Sequence, residues 1–176
     1  MTNEIKAIPT IYKGIPFRSR LEARWAIIFE QLGIDWHYET EGYDIPIDDG
    51  ITIRYLPDFV LYGGTERCPE QLFVEVKGYM RADDALKIRA FSQRYPIYVV
   101  GNIPYDLMDI CNGVDTGFQI PYYNFQTVDG DYFGAVIGAN KRGGWGLFGA
   151  DSTYWFDMDE NKTRQAYAMA RAAHFE

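Results

Sequence analysis

The chain has 176 residues, 47% of them apolar and 24% charged, a composition typical of one globular domain and not of a disordered or fibrous protein. No apolar run approaches the ~20 residues of a membrane-spanning helix, and no apolar signal-peptide core opens the chain. Cys68 and Cys111 form no C-x-x-C pair, which excludes a zinc ribbon and a disulfide framework. We therefore expect a soluble, cytoplasmic protein with no membrane partner.

The net charge of −8 is distributed unevenly along the chain. Residues 101–160 carry two basic and nine acidic groups, and residues 41–80 carry three and eight, whereas residues 1–40 carry five of each. Tight non-specific binding to DNA is therefore not expected, although a local DNA-facing surface is compatible with this distribution. Carboxylates gathered around a metal ion would also account for part of the acidic excess.

The first half of the chain predicts an extended arm, a helix and three strands. Residues 1–16 are the arm or a short strand. The helix is expected over Leu21–Leu32, where apolar residues recur at helical spacing, with Ser19 as its N-cap and Gly33 at its end. The strands are expected over Ile34–Glu39, over Ile51–Tyr62 with an interruption at Pro57, and over Gln71–Lys77.

A second helix is predicted from Asp83 to about Arg94, with Ile88, Phe91 and Tyr95 on one face. The apolar segment Ile97–Val100 follows it and predicts a strand that crosses over to a parallel neighbour. The fold class is therefore α/β, with a core of helix, three-stranded meander, helix and parallel strand.

The remaining residues predict a β-rich, aromatic addition and a terminal helix. Residues 101–158 contain 10 of the 17 glycines, and Asp-Gly and Gly-Gly pairs there predict hairpin turns, one of them at Lys141–Trp145. We expect a single domain over residues 1–176. Its parts are a core at 11–100, the β-rich addition at 101–158 and a C-terminal helix at 159–176.

Three charged residues in this strand context carry the chemical signal. In the third strand Glu75 and Lys77 share a face with Phe73, and burying such a pair without partners would be costly. Asp58 follows Pro57, where the second strand must bend or lie at an edge. If the two strands pair, two carboxylates and an ammonium converge.

Such a group suits phosphodiester hydrolysis. Mg²⁺ prefers oxygen ligands and keeps several waters, so Asp58 and Glu75 with a backbone carbonyl suffice to hold it. Lys77 would then position a water or offset charge on the phosphate. The alternative is that Asp58 only forms a turn and that Glu75 and Lys77 are a salt-bridged solvent face.

Other charged residues near these elements have two interpretations each. Glu22 completes a capping box in which it would bond back to the Ser19 amide, or it reaches the metal site. Arg18 and Arg20 at the start of the helix contact phosphates or are only solvated. Lys87 and Arg94, seven residues apart on the second helix, are candidates to flank a nucleic-acid groove.

The motifs that these residues form, Phe17–Glu22, Tyr55–Phe59 and Phe73–Gly78, resemble those of the PD-(D/E)XK nuclease superfamily. Within it the order and spacing are most similar to the phage endonuclease I family of junction-resolving enzymes and its uncharacterised phage relatives. The resemblance covers about residues 11–100. It implies a restriction-endonuclease-like core, a metal site of Glu22, Asp58, Glu75 and the Val76 carbonyl, and Lys77 as the catalytic lysine.

The resemblance implies a Mg²⁺-dependent DNA endonuclease of phage or mobile-element type, and we expect Mn²⁺ to substitute for Mg²⁺. The sequence leaves the oligomeric state open, and a homodimer is expected only if the enzyme makes paired cuts. A phage-encoded protein would act in the cytoplasm of the host cell. The basic C-terminal region of the junction-resolving enzymes is replaced here by the acidic residues 101–160. The alternative is therefore a nuclease-fold binding protein, such as a phage counter-defence factor, whose acidic, aromatic C-terminal region engages a protein partner.

Overall fold

The structure is a mixed α/β fold in which groups of strands lie between the helices along the chain. It is a computed structural model and describes residues 7–47, 50–65, 68–111, 125–126, 132–133, 135–149 and 153–175. The elements are β1 Thr10–Tyr12, β2 Ile15–Phe17, α1 Arg20–Leu32, β3 Asp35–Tyr38, β4 Tyr43–Pro46, β5 Thr52–Tyr55, β6 Phe59–Tyr62, β7 Gln71–Val76, α2 Ala82–Ser92, β8 Ile97–Val100, α3 Met108–Cys111, β9 Phe125–Gln126, β10 Tyr132–Phe133, β11 Val136–Ala139, β12 Trp145–Phe148, a 3₁₀ turn Thr153–Asp157 and α4 Glu160–Ala172.

A six-stranded sheet with the order β10-β9-β8-β7-β6-β3 lies at the centre of the described residues. Strands β3, β6 and β7 form an antiparallel meander in which Phe59 pairs with both Tyr38 and Val74. After α2 the chain returns as β8, which is parallel to β7. The predicted meander and parallel crossover are therefore confirmed.

The two faces of this sheet are covered by different elements. Leu72, Val74 and Val76 of β7 belong to a core cluster that includes side chains of α1, α4, β11 and β12. On the other face Phe73 belongs to a second cluster with side chains of α2 and of the β4–β5 hairpin. The predicted alternation of β7 is confirmed, and this strand is buried on both faces.

Two predicted elements differ from the observed ones. Residues 51–62 are not one strand in one sheet, because Pro57 separates β6 from β5, and β5 pairs with β4 in a hairpin that was not predicted. Helix α2 ends at Ser92, so Arg94 lies beyond the helix. The prediction that Arg94 and Lys87 share one face of this helix is therefore wrong. The N–H groups of Arg94 and Tyr95 instead donate to the Phe91 carbonyl in a turn after the helix.

The glycine-rich part of the chain contributes to two sheets. Strands β9 and β10 extend the central sheet, while β11 and β12 form a separate antiparallel pair. The predicted hairpin tip after β11 is confirmed, and Gly143 and Gly144 adopt the positive φ angles, 100° and 75°, that this turn requires. The turn predicted at Asp129–Gly130 lies outside the described residues.

Helix α4 packs against α1 and β11, which joins the end of the chain to the core. Within the part of the chain that the structure describes, no helix has the length and apolar character needed to cross a membrane.

Phe59 is fully buried at the centre of the first core cluster, with its ring 5.2 Å from Phe29 and 5.1 Å from Tyr38. We expect Phe59→Ala to lower the free energy of unfolding by about 3–5 kcal/mol, because the lost ring leaves a cavity among side chains held by several elements. Urea unfolding measures this change. Phe156→Ala is the control, since Phe156 is 76% exposed, and a loss at Phe59 no larger than at Phe156 would contradict the predicted core.

Candidate functional site

The four predicted catalytic residues lie at one edge of the central sheet. Because β3, β6 and β7 are antiparallel, the end of β3, the start of β6 and the end of β7 meet at this edge. Side chains from the first turns of α1 and α2 reach the same charges. Five carboxylates and two cations form what we call the carboxylate cluster: Glu22, Glu39, Asp58, Glu75 and Asp84 with Arg18 and Lys77.

Asp58 is the most deeply buried of these side chains, at 2% exposure. It directly follows Pro57, which separates β5 from β6, and its Oδ2 accepts a hydrogen bond of 2.7 Å from the Val76 N–H on β7. Its Oδ1 accepts one from the Arg18 guanidinium. Burial and the neighbouring charge of Glu75 raise the pKa of Asp58 well above its usual range. The interpretation of Asp58 as only a turn former is therefore wrong.

Glu75 is 4% exposed and lies on the α2 face of β7. Its Oε2 accepts a 2.7 Å hydrogen bond from the Tyr55 hydroxyl, and its Oε1 is 2.8 Å from the Lys77 ammonium. Burial and the charge of Glu75 raise the pKa of Tyr55 well above its ordinary value, so the hydroxyl keeps its proton and remains a donor. The pair of Glu75 and Lys77 is thus not a solvent face.

The Lys77 side chain is 22% exposed and bridges two carboxylates, with its ammonium 2.8 Å from Glu75 and 3.5 Å from Asp84. Burial lowers the pKa of Lys77, but the charge and hydrogen bond of Glu75 together with the charges of Asp58 and Asp84 outweigh burial, and the net shift is upward. The raised pKa keeps the Lys77 ammonium charged at neutral pH.

Glu22 caps the first turn of α1 in a manner that differs from the predicted box. The Ser19 hydroxyl accepts from the Glu22 N–H at 3.1 Å and donates to Oε1 at 2.7 Å. Glu22 Oε2 accepts from the Arg18 amide, not from the predicted Ser19 amide, and also from the Tyr38 hydroxyl. The charge of Glu22 contributes to the raised pKa of Asp58, which places this capping carboxylate beside the cluster.

Arg18 is neither free in solvent nor placed only for a phosphate. Its guanidinium forms ion pairs with Asp58 and, at 2.7 Å, with Glu39. Burial lowers the pKa of Arg18, but the charges of Asp58, Glu39 and Glu22 raise it by more than burial lowers it. The guanidinium therefore stays charged.

The other predicted nucleic-acid contacts lie apart from the cluster. Arg20 and Lys87 are exposed, and among the described residues neither makes a hydrogen bond or ion pair with the cluster. Arg94 is exposed beyond the end of α2, and its guanidinium is 3.5 Å from the Pro46 carbonyl. The structure therefore brings together Arg18 and the four predicted catalytic residues, and leaves Arg20, Lys87 and Arg94 outside.

Four members or partners of the cluster were not predicted: Tyr38, Glu39, Tyr55 and Asp84. Tyr55 lies in the same motif as Asp58 and Asp84 lies in the first turn of α2, so sequence position alone could have marked these two. Tyr38 and Glu39 carry no local signal, since only the pairing of β3 with β6 places them beside Asp58.

The cluster holds five carboxyl groups and two cations, an excess of acidic side chains that a divalent cation would help to balance. Carboxylate oxygens are the ligands that Mg²⁺ prefers, so the donor chemistry fits this ion. As the side chains stand in the described part of the chain, no three His, Cys, Asp or Glu residues are grouped to hold a metal. Arg18 and Lys77 occupy carboxylate oxygens that an ion would use.

Fold and site together define a mixed α/β protein with a buried carboxylate cluster at a sheet edge. Comparisons of the chain with protein-family models, with curated proteins and with solved structures found no match. The functional argument therefore depends on the residues of this chain and their geometry.

Proposed function

We propose that the protein is a Mg²⁺-dependent DNA endonuclease with a restriction-endonuclease-like core of the PD-(D/E)XK type. One observation carries the proposal. Asp58, directly before β6, and Glu75, on the neighbouring strand β7, are both buried, and the ammonium of Lys77 contacts Glu75 at 2.8 Å. A buried carboxyl group whose pKa is shifted, as that of Asp58 is, and that lies beside a charged partner is typical of catalytic sites.

The element order supports the same proposal. Helix α1 precedes the β3-β6-β7 meander, and α2 leads to the parallel strand β8, which is the arrangement that the resemblance implies. Each proposed site residue lies at the start or end of one of these elements and not in the β-rich addition. The site is thereby supported by rigid parts of the fold.

The residues that would hold the ion are Asp58, Glu75, Glu22 and the Val76 carbonyl. A divalent ion bound there would polarise the phosphate and would lower the pKa of a water that it holds. Tyr55 orients Glu75, and the Val76 N–H orients Asp58. Lys77 holds a positive charge beside Glu75, where it offsets charge that develops on the phosphate.

A cleavage panel tests this function. Supercoiled plasmid, linear duplex, single-stranded DNA, branched DNA and RNA are incubated with the protein in Mg²⁺, Mn²⁺ or EDTA. We expect cleavage of at least one DNA substrate in either metal and none in EDTA, because the reaction needs the ion. Cleavage that persists in EDTA, or an absence of cleavage on every DNA with both metals, would contradict the proposal.

The second candidate is a nuclease-fold protein that binds a protein partner, such as a counter-defence factor. The observation that favours it is the exposure of Tyr105 (87%) and Phe156 (76%) within the acidic residues 101–160. Exposed aromatic side chains are enriched at protein interfaces. An inactive panel together with a partner bound through these two side chains would favour this candidate.

A homodimer that makes paired cuts stays a prediction.

A further inference from the structure

We propose that Arg18 is a built-in counter-cation that competes with a divalent metal ion for Asp58, so that binding of the ion displaces the guanidinium from this carboxyl group. This inference rests on the proposed function, because it concerns the same metal site.

The first support is the way Asp58 uses its two oxygens. Oδ2 accepts the N–H of Val76, a bond between two adjacent strands that the fold itself fixes. Oδ1 accepts only the Arg18 guanidinium among the hydrogen bonds of the described residues. An ion that coordinates Asp58 would therefore use Oδ1, and the guanidinium held at this oxygen would repel the ion.

The second support is the direction from which Arg18 approaches. The Asp58 side chain is 3% exposed, whereas that of Arg18 is 56% exposed. The guanidinium therefore reaches a buried carboxylate from the solvent side, and its long side chain can leave without unpacking the core. Lys77, at 22% exposure between Glu75 and Asp84, is held more firmly.

The third support is the conformation of Glu39, the other anchor of Arg18. Glu39 has a φ angle of 45°, in the left-handed region that non-glycine residues seldom adopt. Its N–H donates to the Asp58 carbonyl at 2.9 Å, which ties this turn to the site. The same turn directs the Glu39 carboxylate to Arg18 at 2.7 Å. Strained backbone of this kind is concentrated at functional sites.

Calorimetric titration with Mn²⁺, without DNA, tests the competition. The test variant is Arg18→Gln. The matched control is Arg20→Gln, which removes the same charge from an exposed side chain two residues along the chain. We expect Arg18→Gln to bind Mn²⁺ at least about tenfold more tightly than the wild type, because a competitor and a repelling charge are both removed. Arg20→Gln should stay within about twofold, because solvent screens its charge.

Equal or weaker Mn²⁺ binding by Arg18→Gln would overturn the competition, even if the wild type binds the ion. Absence of Mn²⁺ binding by all three proteins would overturn the metal site itself, and with it the proposed function. These two failures are distinguishable, because the wild type and Arg20→Gln report on the site when Arg18 is intact.

Glu39→Gln gives a second measurement that does not leave Asp58 without its partner. This variant loosens Arg18 and also removes a negative charge from the cluster. Competition predicts Mn²⁺ binding that is tighter than in the wild type, because a less restrained guanidinium is displaced more easily. Weaker binding would mean that Glu39 acts by its charge alone, and it would overturn the role assigned to Arg18.

Discussion

Asp58→Asn is expected to lower metal-dependent DNA cleavage by at least about 100-fold, since a bound ion supplies several kcal/mol of charge stabilisation and each 1.4 kcal/mol is about tenfold in rate. Asparagine keeps an oxygen that can accept the Val76 N–H, so the link between β6 and β7 is retained. It removes the charge that an ion and Arg18 both use. The rate of plasmid nicking in Mg²⁺ measures the effect.

A thermal-stability measurement separates the loss of the metal site from unfolding. Mn²⁺ should raise the unfolding temperature of the wild type by mass action, and Asp58→Asn should remove that rise while remaining folded. Asp44→Asn is the matched control, because Asp44 lies on β4 with a side chain that is 64% exposed. Equal metal-induced shifts in the two variants, or cleavage surviving in Asp58→Asn, would contradict the assignment of Asp58.

Most elements of the fold that follow local patterns were predictable, and those that depend on long-range pairing were not. The periodic apolar residues and the Ser19 cap predicted α1 to within one residue of its observed start at Arg20. The β4–β5 hairpin was missed although it has a local signal: the pair Asp49–Gly50 lies between Tyr43–Pro46 and Thr52–Tyr55, and Gly50 has a positive φ of 77°. Pro57 marked the break between β5 and β6, but not that the two strands enter different sheets.

The same distinction applies to the site. Asp58, Glu75 and Lys77 were predictable because strand alternation and a proline fix where their side chains point. The ion pair of Arg18 with Asp58 joins residues 40 positions apart and depends on how α1 docks beside β6. The bond of Tyr55 to Glu75 likewise depends on the way the β4–β5 hairpin covers the sheet. Partners of this kind follow from tertiary packing, which a single sequence does not specify.

Lys77→Met is expected to slow cleavage by about 10²–10³-fold, because it removes a positive charge held where the phosphate gains negative charge. Methionine keeps an apolar stem of similar length, so the packing that surrounds the lysine is largely retained. The Mn²⁺ affinity should be unchanged or tighter, because a cation 2.8 Å from Glu75 is lost. Asp58→Asn should instead lose metal binding, so the two variants separate charge stabilisation from metal binding.

Single-turnover cleavage at saturating Mg²⁺ and DNA measures the chemical step, and Mn²⁺ calorimetry measures the affinity. Lys162→Met is the matched control, since Lys162 is an exposed lysine on α4, and its cleavage rate should stay within about twofold of the wild type because solvent screens its charge. A Lys77→Met variant that cleaves at the wild-type rate would remove the catalytic role of this lysine. A Lys77→Met variant that loses cleavage only because it no longer binds Mn²⁺ would make Lys77 a structural support, because the buried carboxylate of Glu75 would then need the lysine ammonium as its partner.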